Sequence, residues 1–278
     1  MSEPRPKLHR RREIAGGSAR SLLMTILGEF VLPRDEPAWT AALVDALGMF
    51  DVEEKSARQA LARIAAEGWL RSDRFGRRVR WSLTGPGRRL LAEGAERIYG
   101  FGSGERNWDN RWLIVLVTVP EAHRDLRHKL RTRLSWAGFG SPAPGVWITS
   151  RTEAEADAKV ILDELALSGQ AMSFVAGYGA LGEEPEMVAA AWDLGAVAER
   201  YRQFIEEFRA TRPRSRDDVF RAQTRLVHEW RRFPFLDPQL PAELLPPQWI
   251  GATATDLFND RHTRWREIAQ QRWAELAG

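Results

Sequence analysis

The chain has 278 residues, a net charge of +3, and 44% hydrophobic and 28% charged residues, the balance of an ordinary globular protein with room for two or three domains. It contains no cysteine, which excludes disulfides and thiolate metal sites and points to a reducing compartment. No apolar run reaches membrane-spanning length, and the basic N-terminus lacks the apolar segment of a signal peptide, so a cytoplasmic protein with no membrane partner is expected.

The charge is uneven: residues 1–100 carry 18 Lys+Arg against 13 Asp+Glu. Residues 1–17 read as a disordered basic arm with Lys7, Arg10, Arg11 and Arg12, either a reach toward DNA or an untethered tail. Ser18 caps a first helix, Ala19 to Val31, with Leu22, Leu23, Ile26, Leu27 and Phe30 on its apolar face. After Pro33 and Pro37 a second helix runs from Ala38 to Leu47, with Trp39, Leu43 and Leu47 inward, and Gly48 ends it.

From Glu53 to Ala66 the apolar positions Ala57, Ala60, Leu61 and Ile64 follow helical spacing, with Asp51 as N-cap and Gly68 as stop. Ser56, Gln59 and Arg63 fall off that face, and Arg58 lies at its edge. The period then changes to two. Trp69–Arg74 and Val79–Leu83 read as strands joined through Phe75, Gly76 and Arg77. Five arginines, Arg71, Arg74, Arg77, Arg78 and Arg80, crowd this hairpin. Helix, helix, helix, hairpin is the order of a winged helix-turn-helix, with polar side chains for base edges and guanidinium groups for phosphates. The competing reading is a solvated charged helix and hairpin. Thr84 opens a further helix from Pro86 to Tyr99, and Gly100, Gly102 and Gly104 mark a boundary.

The near-continuous apolar run Trp112–Val119 is a buried strand. A helix from Glu121 to Trp136, a strand over Val146–Thr149 with a possible hairpin partner across Pro142–Gly145, a helix from Glu153 to Leu167 and a strand over Ala171–Gly177 follow. This order suggests a small ferredoxin-like α+β domain. From Glu186 the chain is helical, interrupted by a Pro-rich elbow between Phe233 and Trp249. The expected architecture is α+β and multidomain: a winged helix over residues 18–100, a ferredoxin-like middle domain over 106–182 and a mostly helical C-terminal domain over 185–278.

The residues also carry a family pattern. In the reading head it runs Arg58-Gln59-Ala60-Leu61, then Arg63-Ile64, Gly68-Trp69-Leu70 and Gly76-Arg77-Arg78. Trp108-Asp109 and Trp112, then Trp136-Ala137-Gly138-Phe139-Gly140, belong to the middle. Tyr201, Phe204 and Phe208, then His228, Arg231 and Arg232, and Asp237-Pro238 through Leu244-Leu245-Pro246 to Trp249, complete it. Across nearly its whole length the chain resembles the PaaX-type repressors of bacterial phenylacetic acid degradation. The resemblance implies a dimeric transcriptional repressor that leaves its operator on binding phenylacetyl-coenzyme A, with a winged helix, a ferredoxin-like domain and a helical C-terminal domain for effector and dimer contacts. A regulator of the same architecture answering another acyl-coenzyme A, or acting as an activator, is the alternative.

Ser56, Arg58, Gln59 and Arg63 are the candidates for base contacts, and Arg74, Arg77, Arg78 and Arg80 for phosphates. Arg58 and Arg63 could instead pair with Glu54 or Glu67. An aryl thioester needs an apolar slot, and its nucleotide needs cations. His228, Trp230, Arg231 and Arg232, with Trp136 and Tyr201 as further aromatic wall, are the candidate effector residues; core packing and plain surface charge compete with that role. The middle sheet and the C-terminal helices are candidate dimer surfaces. No cofactor, metal site or catalytic residue is expected, because no His-x-x-x-His pair and no glycine-rich phosphate loop occurs. Asp109 stands where some nucleases of ferredoxin-like fold carry a metal carboxylate, but beside Arg111 it reads more simply as an ion pair.

Overall fold

The structure is a computed structural model that describes residues 18–102, 108–120 and 123–278. The expected basic arm, Gly104 and Glu121 lie outside them. The chain is mixed α and β with two small antiparallel sheets. It divides into two compact units. The first joins the chain up to Phe101 with Phe204–Arg232 and Thr255–Gly278; the second joins Gly102–Gln203 with Phe233–Ala254. The segment 185–278 is thus shared between them.

In the first unit, α1 (Ala19–Ile26) is capped by the Ser18 hydroxyl, which accepts from the Ser21 N–H at 3.1 Å. Its last turn widens into a π-helix over Leu27–Val31. The expected second helix begins later: α2 spans Thr40–Gly48, and Ala38–Trp39 form a short strand, β1. Pairing of β1 with the hairpin overrides local helix preference there. Leu43 and Leu47 are buried as expected, but Trp39 points to the outer face of the hairpin sheet. A third helix, α3 (Glu54–Ala66), follows. Asp51 does not cap it. Its φ of +60° belongs to the preceding turn, and Glu53 occupies the cap position without a side-chain bond.

The hairpin strands β2 (Leu70–Phe75) and β3 (Arg78–Leu83) leave a two-residue turn in which Gly76 has φ +59°, the left-handed backbone such turns require. The sheet order is β1-β3-β2. Helix α4 (Gly85–Tyr99) is capped by Thr84 and passes so close to the hairpin base that a Cβ on Gly87 would lie 2.1 Å from the Trp69 carbonyl oxygen.

The floor of this unit comes from the far end of the chain. Helix α9 (Arg216–Trp230) and α11 (Gly251–Ala277, from Thr255 on) pack against the N-terminal helices. Phe30 meets Phe220 at 4.7 Å and Trp273 at 6.1 Å between ring centroids. The buried carboxylate of Glu29 is surrounded by donors: the Tyr99 hydroxyl, Gln223 Nε2 at 2.7 Å and His262 Nε2 at 3.2 Å. Gln270 Nε2 donates to the Glu29 carbonyl at 2.7 Å. Burial alone would raise the Glu29 pKa; His262, Tyr99 and Gln223 outweigh it and hold the carboxyl below its ordinary value. Burial, and then the Glu29 charge, drive the Tyr99 phenol far upward.

In the second unit, β4 (Arg111–Val117), β5 (Gly140–Ala143), β6 (Val146–Thr149) and β7 (Ala171–Gly177) form an antiparallel sheet ordered β5-β6-β4-β7. One face carries Leu113, Val115, Val117 and Trp147 into a core with Leu130 and Leu134 of α5 (Arg124–Trp136) and Ala158 and Leu162 of α6 (Glu155–Glu164). The other packs Trp112 and Ile148 with Val188 of α7 (Glu184–Ala191), with Leu194 at the start of α8 (Leu194–Ala210), and with Leu240. A short helix, α10 (Phe233–Leu236), precedes the elbow. At Gly140 a Cβ would meet the Trp192 ring at 2.4 Å, so α7 lies tight against β5.

Candidate nucleic-acid interface

Helix α3 packs on α1 and α2 through its apolar stripe. Ala57, Leu61 and Ile64 are fully buried and Ala60 nearly so. With one side so fixed, helical geometry turns Ser56, Arg58, Gln59 and Arg63 outward, and all four are exposed. Lys55, which the apolar period does not single out, joins them: with Glu54, Arg58, Gln59 and Ala62 it lines a shallow surface depression. Its position one turn before Gln59 is the signal that points to it. Arg58 is not idle, since its Nε donates to Glu54 Oε1 at 2.7 Å. Such an exposed pair is worth only a few tenths of a kcal/mol, about 0.3–0.5, and is easily exchanged for a phosphate or base. Glu67 pairs with Arg20 at 2.7 Å rather than with Arg63.

The hairpin presents its cations on two faces. Register pairs Arg71 with Ser82, Asp73 with Arg80 and Phe75 with Arg78, and β1 sets Trp39 opposite Arg80. These residues share the face turned from the core. There the Arg78 guanidinium lies 4.0 Å from the centre of the Trp39 ring, and Arg80 lies 4.6 Å from Phe75 and 5.8 Å from Trp39. Trp39 and Phe75 meet edge to face at 5.9 Å. The aromatic pair therefore holds two arginines in place before any ligand arrives. Arg74 is on the opposite face, its Nε donating to the Gly76 carbonyl at 3.1 Å, and Arg77 is exposed in the turn. Trp81 Nε1 donates to Thr40 Oγ1 at 2.8 Å, and Thr40 Oγ1 to the Val79 carbonyl at 3.0 Å, tying the hairpin to the start of α2.

The six candidate effector residues fall in two places. In the first unit, Trp230 is fully buried. Its ring stacks on Phe258 at 4.5 Å and contacts Phe204 and Phe101, and its Nε1 donates to the Ile98 carbonyl at 3.1 Å. Arg231 reaches α1: Nη1 donates to the Ser21 carbonyl and to Thr25 Oγ1, and Nη2 to Ser21 Oγ. Burial, and then Arg20 and Arg232, lower its pKa to about 10, still charged at neutral pH. His228 Nδ1 lies 2.9 Å from Thr25 Oγ1. Burial, then the charges of Arg231, Arg232 and Arg225, bring its pKa to about 4, so the imidazole is neutral at pH 7. Arg232 pairs with Glu229 at 2.9 Å.

In the second unit, Tyr201 is buried. It stacks on Phe233 at 4.2 Å, with its hydroxyl donating to Asp237 Oδ2 at 2.6 Å. Burial and the Asp237 charge push that phenol's pKa far above its ordinary value. Trp136 is half-buried against Phe235 at 5.1 Å. Trp230 and Tyr201 are thus packed into cores, and Arg231 and His228 are engaged with α1.

Asp109 is bound by its neighbour: the Arg111 N–H donates to Oδ1 at 3.0 Å and Arg111 Nε to Oδ2 at 2.7 Å. The Arg111 side-chain bond, above all, holds the carboxyl below its ordinary value. Among the described residues no group of three or more His, Asp or Glu is placed to hold a metal, and no helix is long and apolar enough to cross a membrane.

Comparison with known proteins matches three family models in succession. Residues 18–87 match "PaaX-like protein", residues 105–188 "PaaX protein central Cas2-like domain" and residues 192–275 "PaaX-like protein C-terminal domain". The chain is 30% identical over 251 residues to the transcriptional repressor PaaX of Escherichia coli (strain K12), covering 86% of this chain and 78% of that protein. An uncharacterized protein from Mycobacterium tuberculosis has a similar structure, with a TM-score of 0.59 over 91% of this chain and 98% of that one, at 22% identity; that likeness concerns the fold alone. The matched relative is a transcriptional repressor.

Proposed function

The chain belongs to the PaaX family, and from that premise we propose that it is a sequence-specific DNA-binding transcriptional repressor of phenylacetate catabolism. On this reading it acts in the cytoplasm as a homodimer on double-stranded operator DNA. An aryl-acyl-coenzyme A, phenylacetyl-coenzyme A first among them, releases it. The observation that carries the reading is the exposed polar side of α3 beside a hairpin whose outer face holds Arg78 and Arg80 stacked on Trp39 and Phe75.

We read α1–α4 with β1–β3 as a winged helix-turn-helix over residues 18–100. In it α3 enters the major groove and the hairpin is the wing. Gln59 and Arg58 are the natural partners of adenine and guanine edges, with Ser56, Arg63 and Lys55 beside them. Arg74, Arg77, Arg78 and Arg80 take phosphates. The strand order β5-β6-β4-β7, with a helix after β4 and another after β6, supports reading residues 106–182 as a ferredoxin-like domain. For the effector, His228, Arg231 and Arg232 of the first unit and Trp136 of the second keep partial exposure, while Trp230 and Tyr201 are buried. Within the first unit Trp230 would shape such a site from the core behind His228, Arg231 and Arg232, and within the second Tyr201 would do the same behind Trp136.

The test is fluorescence anisotropy of the promoter next to the protein's own gene, titrated with phenylacetyl-coenzyme A, free coenzyme A and phenylacetate. Release by the thioester alone is expected. Tight binding that none of the three changes would overturn the effector assignment, and absence of operator binding would overturn the repressor reading.

A further inference from the structure

Among the described residues, Arg231 of the first unit is a largely buried cation without a carboxylate of its own. Arg20 and Arg232, whose charges act on it, each have one: Glu67 at 2.7 Å from Arg20 and Glu229 at 2.9 Å from Arg232. Arg231 instead donates to three neutral oxygens of α1, the Ser21 carbonyl, the Ser21 hydroxyl and the Thr25 hydroxyl. Buried charges are ordinarily paired, because neutral dipoles replace lost hydration only in part.

A guanidinium carries five N–H groups. Here both on Nη1 and one on Nη2 are used. Because Nη1 and Nη2 both grip Ser21, the end of the fork faces α1. Its side remains: the Nε–H and the second Nη2–H, which point the same way. Among the described residues Nε has no partner, and it is not sealed from solvent. That edge is shaped to take an oxyanion through two parallel bonds.

The surroundings are positive. Arg20 lies with its guanidinium 5.2 Å from the centre of the Trp69 ring. Its side chain is 15% exposed and that of Arg232 22%, so both reach solvent. Burial, and then these two charges, lower the Arg231 pKa to about 10. His228 is neutral at pH 7 for a related reason, since burial and then Arg231, Arg232 and Arg225 bring its pKa to about 4. Arg225 is paired with Glu207. Four arginines thus meet three carboxylates, and the excess positive charge is the one on Arg231.

The DNA backbone fits this cluster poorly. Arg20 meets Glu67 and Trp69, just past the C-terminal end of α3, whereas Ser56, Arg58 and Gln59 stand near its start. The helix between is 13 residues long, about 20 Å. A small anion fits better. A tetrahedral dianion has oxygens for both N–H groups of the edge and others for the flanking guanidinium groups.

We propose that the Nε–Nη2 edge of Arg231, flanked by Arg20 and Arg232, is a binding site for a phosphate dianion. The proposal goes beyond the effector reading above, because the edge calls for a phosphate whether it is free or is the ribose phosphate monoester of coenzyme A.

The experiment is isothermal titration calorimetry of the full chain at constant ionic strength with inorganic phosphate, coenzyme A and dephospho-coenzyme A. The proteins are the wild type, Arg231→Lys and Arg221→Gln. Arg231→Lys keeps the charge but loses the edge, and should weaken binding at least about tenfold. Arg221→Gln removes a charge from the exposed side of α9 and should bind as the wild type does. A preference for coenzyme A over dephospho-coenzyme A that vanishes in Arg231→Lys supports the site with the coenzyme as its source. Equal binding of those two, with inorganic phosphate still dependent on Arg231, supports it with free phosphate as the source. Binding of phosphate and of coenzyme A that is absent, or equal in the wild type and Arg231→Lys, overturns the site. Displacement of bound phosphate by a random duplex also overturns it, since the cluster would then belong to the DNA backbone. Failure of the thioester to release the operator overturns the effector reading alone. Hydrogen exchange on unmodified protein covers an Arg231→Lys chain that does not fold. Amides of residues 20–25 and 228–232 should exchange more slowly in phosphate than in chloride, and equal exchange overturns the proposal.

Discussion

Arg231 holds Ser21 with both ends of its guanidinium: Nη1 donates to the Ser21 carbonyl at 3.2 Å and Nη2 to the Ser21 hydroxyl at 3.1 Å. The same Nη1 reaches Thr25 Oγ1 at 3.0 Å. One planar cation thereby ties the end of α9 to the first helix of the N-terminal segment. Arg231→Ala removes these bonds and leaves buried acceptors without donors, a loss of about 3 kcal/mol in urea unfolding. Arg231→Lys keeps the charge but not the fork, so it should recover less than half of that loss. Equal stability of the lysine variant and the wild type would show that charge, not geometry, matters here.

His228 gives the unit a pH dependence whose sign follows from its neutral burial. Its pKa is about 4 in the fold and about 6.5 in the unfolded chain. As pH falls, the unfolded chain takes up this proton first. Stability is therefore undiminished above about pH 6.5, declines toward pH 4 and levels off below it, with an upper limit of about 3 kcal/mol. Glu29 acts lower on the scale: its folded carboxyl is held below its ordinary value, so its contribution is present above that value and fades as pH falls through the folded pKa. Urea melts at pH 7, 6 and 5 should decline for the wild type and be nearly flat for His228→Gln. A variant with the wild-type slope would place the titration elsewhere.

The candidate DNA contacts proposed above divide by what salt should do to them. Arg78→Ala should weaken operator and random DNA alike, and lower the slope of log affinity against log salt by about 0.9 for each phosphate that Arg78 neutralises. Gln59→Ala should leave that slope unchanged and cost about 1–3 kcal/mol of discrimination at one base pair. Anisotropy over a salt series, with operator and scrambled duplexes, separates the two effects.

Trp39 supports the hairpin without carrying charge. Removing its ring from beneath Arg78 frees the guanidinium to wander, at a cost of about 0.5–1 kcal/mol. Trp39→Ala should therefore weaken operator binding about two- to five-fold, and Trp39→Phe should retain most of the affinity. Binding by the alanine variant equal to wild type would mean that Arg78 is positioned by DNA alone.

Elements whose signal is local are legible in the chain. The α3 stripe of Ala57, Ala60, Leu61 and Ile64 repeats every three or four residues, and all four are buried. β7 matches its expected bounds at both ends. Trp39 reads as helical and inward because a two-residue strand owes its existence to β3, some forty positions away, and not to its own neighbours. Glu29 draws no notice on an otherwise apolar helix, since its partners Gln223 and His262 are 194 and 233 residues distant. Trp230 and Arg231 illustrate a different limit. An aromatic ring beside a cation suits a thioester and its phosphates, but residue type does not reveal which side chains the core and α1 have already engaged.

The N-terminal segment closes on α9 and on α11 from His262 to Trp273, which means that it is not a cassette. Cut at residue 100, it would lose Phe220 and Trp273 from Phe30, Arg231 from Ser21, and Gln223 and His262 from Glu29, leaving that carboxylate with Tyr99 alone on an uncovered apolar face. During synthesis the same geometry imposes an order: α1 must wait for α11 before its underside is covered. A chain that stops short of α11 would carry α3 and the hairpin complete while the helices that cover the underside of α1 are missing.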